Sequence, residues 1–441
     1  MPPALKDGPV LILADGLADA QRSITGPVAL LAETGWNDPA VLAWGPPQEV
    51  RQHPAAGAAR TIDRRGCILL PGLVNAHTHL DLSHMGARPF DPVEGFAGWI
   101  GMVRRERAVG GPAVAESVRL GVARLLRGGV AAVGDISGAF RLEPAATLAA
   151  LGLRGVSYCE FFALGARWRD GIQRAGEALA ALRRGLGGQT RVRAGLQPHA
   201  PYSVGLDAFR WAVEQSEGDG MPLCTHLAES RAESTLVASG GGELVEALRS
   251  FGVWDEGVAA GFGHGATPVA HLAPVLNGAR RLAAVHVNHC SDADIETLAR
   301  AGTRVVYCPR ASSYFHHERD FGPHRYRDMM HAGITVALGT DSIINIPPDQ
   351  ADRLSPLDDA RLLFQRDGTD ARTLLAMATV NGAVALGIDE ALFRFPRVAG
   401  PIAGVIAVPI PGTSPADPAR AVMESRALPE FVLRPAPGPG I

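Results

Sequence analysis

The chain has 441 residues, 46% of them hydrophobic and 20% charged, a composition typical of a soluble globular protein. The 42 lysine and arginine residues nearly balance 45 aspartate and glutamate residues, so there is no excess of basic groups for nucleic-acid binding. No apolar run reaches the roughly 18 residues that a transmembrane helix needs, and we therefore expect neither a nucleic-acid nor a membrane partner.

The N-terminal segment, residues 1–68, predicts the first part of a small β-sandwich. Its opening, MPPALKDGPV, has no apolar core before a small-residue cleavage site, so it does not resemble a signal peptide and we expect a cytoplasmic protein. The short apolar runs PVLILADG, GPVALLAE and PAVLAWG follow, and turn residues separate them. This pattern is typical of short antiparallel strands.

Residues 69–385 alternate short apolar runs with helical periods and predict a metal-dependent (β/α)8 TIM barrel. A doubly wound sheet would also alternate in this way, but no GxGxxG pattern follows the first strand. After the strand that ends at His79, the predicted strands are GVAAVGDIS, LRGVSYCEFF, RVRAGLQPHA, MPLCTHLAE, LAAVHVNHC, GTRVVYCPR and GITVALGTD.

The C-terminal segment, residues 386–441, returns to short strand-like runs, AGVIAVPI and EFVLRP. Because chain ends often lie close together, we expect these strands to complete the N-terminal β-sandwich.

The lysine and cysteine content excludes several classes of catalytic chemistry. Lys6 is the only lysine, which excludes pyridoxal Schiff bases, P-loop nucleotide binding and metal bridges built on a carbamylated lysine. The five cysteines form no CxxC pair, and we interpret them as reduced structural thiols.

Metal-competent and acid–base side chains stand at the carboxyl ends of predicted barrel strands, where barrel enzymes place their catalytic groups. His77 and His79 are two residues apart, a spacing that puts both imidazoles on one face of a strand. The other candidates are His226 and Glu229 after strand five, His286 after strand six and Asp341 after strand eight.

Each of these residues alone has a plainer interpretation, since a strand-end histidine is more often a hydrogen-bonded rim residue and Asp341 would serve as a helix cap. Gathered at one barrel mouth without a cation, however, they would leave buried polar groups unsatisfied. Three neutral imidazoles and one carboxylate suit zinc or ferrous iron, with a position left for water. We expect one divalent metal ion per chain, with Zn2+ favoured and Fe2+ as the alternative.

The motifs PGLVNAHTHL, QPHAPYSV, THLAES, VHVNHC, VVYCPR and LGTDS resemble the amidohydrolase superfamily. The resemblance spans nearly the whole chain and is specific to the mononuclear branch of cytosine, guanine, S-adenosylhomocysteine and aminodeoxyfutalosine deaminases and triazine hydrolases. It implies that the metal ligands are His77, His79, His226 and Asp341, that Glu229 is the proton shuttle, and that His286 lies against the attacking water.

After strand six the sequence departs from the family pattern, because it carries two histidines, His286 and His289. The register of His286 relative to the following helix SDADIETLA matches the family, so we favour His286 as the histidine that faces the metal. We interpret His289 as a structural residue of the rim.

Substrate contacts are expected from three further places. The resemblance implies a hydrogen bond from His199, after strand four, to an atom of the substrate ring. Phe96 and Trp99, after strand one, are candidates for an aromatic wall, although an amphipathic helix that packs them inward explains them equally well. Arg310 lies in the loop after strand seven, and such loops line the pocket of a barrel; the alternative there is a solvated loop.

The placement of charge predicts a hydrolytic deaminase of an amino-substituted nitrogen heterocycle, nucleobase- or nucleoside-like. The metal lowers the pKa of its water to about 7, Asp341 and His286 hold the released proton, and Glu229 protonates a ring nitrogen as hydroxide attacks the amidine carbon. Ammonia then leaves. A cyclic amide hydrolase and a dechlorinating or alkylamine-releasing hydrolase remain alternatives, whereas a non-catalytic assembly protein would normally have lost metal ligands.

The expected partner is thus a small heterocyclic molecule. The sequence leaves the oligomeric state open, with a homodimer as one option.

Overall fold

The computed structural model describes residues 8–34, 38–187, 191–412 and 415–434. Lys6 lies outside these residues. The described chain forms one sheet of eight strands and one of seven, together with α-helices and short 3-10 helices. The predicted fold class, a (β/α)8 barrel with a smaller β domain built from both chain ends, is confirmed.

In chain order the strands are β1 (Gly8–Ala18), β2 (Ser23–Thr34), β3 (Ala40–Gly45), β4 (Arg60–Pro71), β5 (Leu73–Thr78), β6 (Val130–Ala139), β7 (Arg154–Phe161), β8 (Val192–Pro198), β9 (Leu223–Leu227), β10 (Leu282–His286), β11 (Arg304–Tyr307), β12 (Val336–Leu338), β13 (Gly400–Pro401), β14 (Val405–Pro409) and β15 (Glu430–Leu433).

The α-helices are α1 (Pro47–Val50), α2 (Gly95–Glu106), α3 (Gly111–Arg127), α4 (Glu143–Ala150), α5 (Trp168–Leu186), α6 (Leu206–Asp219), α7 (Arg231–Ser239), α8 (Glu243–Ser250), α9 (Glu256–Ala259), α10 (Pro268–Leu276), α11 (Asp292–Ala301), α12 (Pro309–Tyr314), α13 (His317–Phe321), α14 (Tyr326–His331), α15 (Pro356–Asp367), α16 (Ala371–Met377), α17 (Val380–Leu386) and α18 (Pro418–Glu424). Short 3-10 helices lie at Pro54–Ala58, Leu80–Met85, Ile343–Asn345, Pro348–Gln350 and Glu390–Phe393.

The eight-stranded sheet, β5 to β12, is a nearly closed parallel barrel in which neighbouring strands follow chain order. A bridge between Thr78 and Asp341 joins its two edges. The backbone N–H groups of Thr340 and Asp341 donate to the carbonyl of His77 at 3.0 and 3.1 Å. The first strand and the segment after the last strand are therefore held together at the carboxyl end of the barrel.

The smaller domain is a curled seven-stranded sheet with the order β13-β3-β2-β1-β4-β14-β15. Strand β4 pairs in parallel with β1 and antiparallel with β14, so both chain ends contribute to it. Gly72 separates β4 from β5, and a Cβ atom there would lie only 2.5 Å from Cβ of Ala131. The close approach at Gly72 allows the chain to pass from one sheet directly into the other.

The helices cover the barrel with apolar faces. In α3, Val114, Val118, Val122 and Leu125 recur at helical spacing and are buried. They join the same apolar core as strand residues such as Val130. This packing fixes the strands whose carboxyl ends carry the candidate site.

No helix in the described part of the chain combines the length and hydropathy needed to cross a bilayer. The five cysteines are free thiols, four of them buried, as the sequence predicts for reduced structural residues.

Candidate active site

The predicted metal ligands converge at the carboxyl ends of the barrel strands. Two sets of three side chains each place their ligand atoms within 4.8 Å of one another, and His77 belongs to both sets. Oδ1 of Asp341 lies 3.6 Å from Nε2 of His77 and 3.5 Å from Nε2 of His79. The two sets are His77, His79 and His226, and His77, His286 and Asp341.

The donor set fits a divalent metal ion. Nε2 of His77 is buried and has no hydrogen-bond partner among the described residues. Burial, together with neighbouring histidines, lowers the pKa values of His79 and His226 well below the ordinary value, so both rings are neutral and offer a lone pair. Neutral imidazoles and a carboxylate are the ligands that zinc and ferrous iron take in mononuclear hydrolytic and oxidative sites.

The backbone is strained where the strands end at this site. Ala228, His286, Val287 and Asp341 have φ values of 50°, 76°, 50° and 55°, in the left-handed region that non-glycine residues seldom adopt. Such conformations cluster at functional sites, where the surrounding structure holds them in place. Here they coincide with the ends of β9, β10 and β12.

Glu229 lies beside His286 in the buried part of the site. Its Oε1 is 3.5 Å from Nε2 of His286. Burial raises the pKa of Glu229 well above its ordinary value, and the charges of Asp341 and Glu233 raise it further. Both effects favour the protonated form of Glu229, which is the form that can donate a proton.

Glu233 clamps the segment that carries Glu229. Its carboxylate accepts hydrogen bonds from the backbone N–H groups of Ala228 at 3.0 Å and Glu229 at 2.7 Å. Asn288 donates to the Glu229 carbonyl at 3.0 Å from the other side. The sequence leaves Glu233 unassigned but allows it a hydrogen bond that orients a neighbouring residue. Ser230 and Glu233 also have the spacing of a capping box at the start of α7.

Gln197 is a second residue that the sequence analysis missed. Its Nε2 lies 3.3 Å from both ring nitrogens of His226. Gln197 stands two residues before His199, so strand alternation puts both side chains on the inner face of the barrel. This alternation is the sequence signal that could have identified Gln197 as a residue of the site.

His199 lies next to the metal-site histidines. Its ring centroid is 5.1 Å from that of His226, and its Nδ1 is 2.7 Å from Oγ of Ser203. Burial lowers the pKa of His199 to about 3, and the positive charge of Arg107 acts in the same direction. The ring is therefore neutral, with Nδ1 already engaged by the protein.

Of the two histidines after strand six, His286 lies beside the metal-site histidines and His289 does not. Its ring lies 5.7 Å from that of His77 and 5.5 Å from that of His226. His289 instead stacks on Phe321 at 4.7 Å, and its Nδ1 lies 3.0 Å from Oγ of Ser234.

Phe96 and Trp99 lie together on α2 and stack at 6.0 Å. Phe315, which follows α12, packs edge-on against both rings at 5.4 and 5.2 Å. Within the described chain, no ring contact joins this cluster directly to the metal-site histidines. The three rings thus pack against one another, and the role of Phe96 and Trp99 as an aromatic wall for the substrate stays a prediction.

Arg310 does not fit the substrate-binding role predicted for it. The expected loop is helix α12, which turns Arg310 inward to α15. Its Nη2 donates to Oδ2 of Asp359 at 2.8 Å and to the Ser355 carbonyl at 3.0 Å, and its Nη1 donates to Gln350 at 3.1 Å. Because these groups engage the buried guanidinium, we do not retain Arg310 as a substrate ligand.

Comparison of the sequence with known protein families identifies the family. The sequence profile of the amidohydrolase family matches residues 68–392. The chain belongs to the amidohydrolase family. The resemblance carried by the sequence motifs is thereby confirmed, and so is the expectation of a hydrolase acting on C–N bonds.

This amidohydrolase is similar to the aminodeoxyfutalosine deaminase of Deinococcus radiodurans, with 32% identity over 395 residues that cover 85% of this chain and 84% of the relative. Its fold is similar to an adenosine deaminase from Xanthomonas campestris with bound zinc, with a TM-score of 0.72 at 22% identity, covering 100% and 96% of the two chains. It is also similar to an atrazine chlorohydrolase from Arthrobacter aurescens complexed with zinc, with a TM-score of 0.70 at 21% identity, covering 98% and 97%.

Proposed function

We propose that this amidohydrolase is a hydrolytic deaminase that removes ammonia from an amino-substituted ring of a nucleoside-like compound. The observation that carries the proposal is the buried carboxyl group of Glu229, which lies beside His286 at the edge of a metal-competent histidine cluster. The similarity to an aminodeoxyfutalosine deaminase supports the same reaction class.

We infer one divalent metal ion per chain, held by His77, His79, His226 and Asp341. Zinc is favoured, because structures of similar fold carry zinc, and Fe2+ is the alternative. When bound, such a cation activates water for nucleophilic attack near neutral pH. The single lysine, Lys6, supports one metal, since it leaves no internal lysine to bridge a second.

Glu229 supplies the proton that the reaction needs. Attack of water on an amidine carbon moves an electron pair onto the adjacent ring nitrogen, and the Glu229 carboxyl group donates its proton there. Asp341 and His286 are placed to hold the proton released by the water. A proton then passes to the amino group, the C–N bond breaks, and ammonia leaves.

His199 orients the ring in this proposal. Because Ser203 engages Nδ1 of His199, Nε2 is left for a ring atom of the substrate. The aromatic cluster of Phe96, Trp99 and Phe315 supplies a rigid apolar side to the region after strands one and seven. A flat heterocycle with one hydrogen-bonding edge suits these surroundings.

The test is to incubate metal-loaded protein with amino-substituted purine nucleosides, pterins, pyrimidines and triazines, and to follow ammonia and the ultraviolet spectrum together. We expect stoichiometric ammonia and a matching spectral change from a nucleoside-like compound. Release of chloride or alkylamine, or ring opening without ammonia, from the best substrate would instead assign the chain to the alternative hydrolases of this family.

A further inference from the structure

The carbonyl group of His286 leaves the barrel hydrogen-bond ladder at a strained turn. Strand β10 ends at His286, and the backbone of His286 and Val287 has φ values of 76° and 50°. A buried carbonyl at such a position needs a donor from outside the sheet. The direction of the His286 imidazole depends on how this turn is held.

His324 supplies that donor. Its Nε2 lies 2.8 Å from the His286 carbonyl oxygen, and the contact is buried. Because a carbonyl oxygen only accepts, Nε2 carries the proton. Burial lowers the pKa of His324 to about 4, so the ring is neutral and its Nδ1 holds a lone pair. Nδ1 has no hydrogen-bond partner in the described chain.

The ring of His324 is itself fixed by the neighbouring strand. It stacks on Tyr307 with ring centroids 3.7 Å apart and an interplanar angle of 17°. Tyr307 ends β11, the strand that pairs with β10, and its hydroxyl accepts a hydrogen bond from Arg366 at 3.3 Å. The His324 ring thus packs against the sheet through Tyr307 and binds the strained turn through its hydrogen bond to the His286 carbonyl.

We propose that His324 is a positioning residue for His286: its hydrogen bond to the His286 carbonyl holds the left-handed turn that aims the imidazole at Glu229. The catalytic consequence rests on the deaminase function proposed above. If this side chain only filled space, a phenylalanine would pack equally well. A phenylalanine would also not leave a buried ring nitrogen, Nδ1, without a hydrogen-bond partner.

Two substitutions separate hydrogen bonding from packing. His324→Phe keeps a ring on Tyr307 and removes the donor, whereas His324→Gln removes the ring and places an amide N–H near the position of Nε2. We expect His324→Phe to lower kcat about 10- to 100-fold with metal content and KM nearly unchanged, and His324→Gln to recover much of the loss. His271→Phe is the matched control, because His271 also stacks on an aromatic ring, Phe262, and belongs to neither ligand set.

A crystal structure of the His324→Phe variant gives a readout independent of activity, and we expect His286 to leave its left-handed conformation. Unchanged kcat in His324→Phe, an equal loss in both variants, or an unmoved His286 backbone would overturn the positioning role. Failure of the unmodified protein to release ammonia would count against the deaminase function, while the crystallographic result would still decide what holds His286.

Discussion

Nε2 of His286 lies 3.5 Å from Oε1 of Glu229, and both side chains are buried at the carboxyl end of the barrel. Burial moves their pKa values in opposite directions, down for the imidazole and up for the carboxyl group. The shifts favour the uncharged form of each group, an imidazole that can accept a proton and a carboxyl group that can donate one. Opposed shifts of this kind are how one site provides a proton acceptor and a proton donor at the same pH.

Replacing Glu229 by Gln tests the proton donor. The Glu229→Gln variant keeps the size and polarity of the side chain but has no acidic proton, so we expect kcat to fall about 100- to 10,000-fold. Metal content should not change, since Glu229 is outside both ligand sets. Steady-state kinetics with metal analysis of the same sample checks both, and near-normal turnover would contradict the proton-donor role.

Replacing His226 by Ala tests the metal cluster. We expect the His226→Ala variant to lose bound metal and activity together, because the substitution removes one of three convergent imidazoles. His264→Ala is the control, since His264 is an exposed histidine that lies against the Ala260 carbonyl and belongs to neither ligand set. If His226→Ala kept its metal as firmly as the control did, His226 would not be a ligand.

Elemental analysis tests the number of metal ions. We expect about one transition metal per chain, because the two candidate ligand sets share His77. Removal of the metal with a chelator should abolish ammonia release, and addition of Zn2+ should restore it. Two tightly held metal ions per chain would show that the proposed site is incomplete.

Asp135 gives a prediction about stability and pH. Burial raises the pKa of Asp135 from 3.8 to about 8, so the folded protein holds this proton more tightly than the unfolded chain. Stability should fall as pH rises from about 4 to 8, by at most about 1.4 kcal/mol per pH unit from this group. In Asp135→Asn that dependence disappears, while an acceptor for the Leu80 N–H remains.

Urea unfolding at pH 5 and pH 8 measures the effect. The stability of Asp135→Asn relative to the unmodified protein should increase between the two pH values. A difference that stays constant would mean that Asp135 is ionised in the folded protein throughout this range.

Arg310 gives a prediction that distinguishes support of the fold from substrate binding. Removing the guanidinium in Arg310→Met leaves Asp359 as an unpaired buried charge, which should lower the free energy of unfolding by about 3 to 5 kcal/mol. The double variant Arg310→Met/Asp359→Leu should recover much of this loss. A raised KM in the single variant, with unfolding unaffected, would return Arg310 to the substrate site.

The site was predictable where chemistry and strand geometry act together. Two histidines at the spacing of His77 and His79 share a face in any strand, and the carboxyl ends of parallel strands meet at one end of a barrel. Position relative to a strand was therefore enough to bring His226, His286 and Asp341 to the same place. The roles of these residues remain predictions until the variants above are made.

Residues beyond the strand ends were harder to place, because their direction depends on local turns. Arg310 was expected on a loop, but Pro309 begins a helix that turns it inward. His324 carries no sequence signal, since its partner is a backbone carbonyl on another strand. The sequence places the start of the barrel at residue 69, whereas β4 of the smaller sheet extends to Pro71 and Gly72 separates it from β5.

The hydrogen bonds from Thr340 and Asp341 to the His77 carbonyl join residues that are made far apart in time during synthesis. His77 leaves the ribosome early and Asp341 late, so a nascent chain cannot offer the complete ligand set until the eighth barrel strand has been made. Strand β14, which pairs with β4 just ahead of His77, is made later still. The set of His77, His79 and His226 can therefore form before the set of His77, His286 and Asp341, and only a chain that includes the eighth barrel strand can offer both.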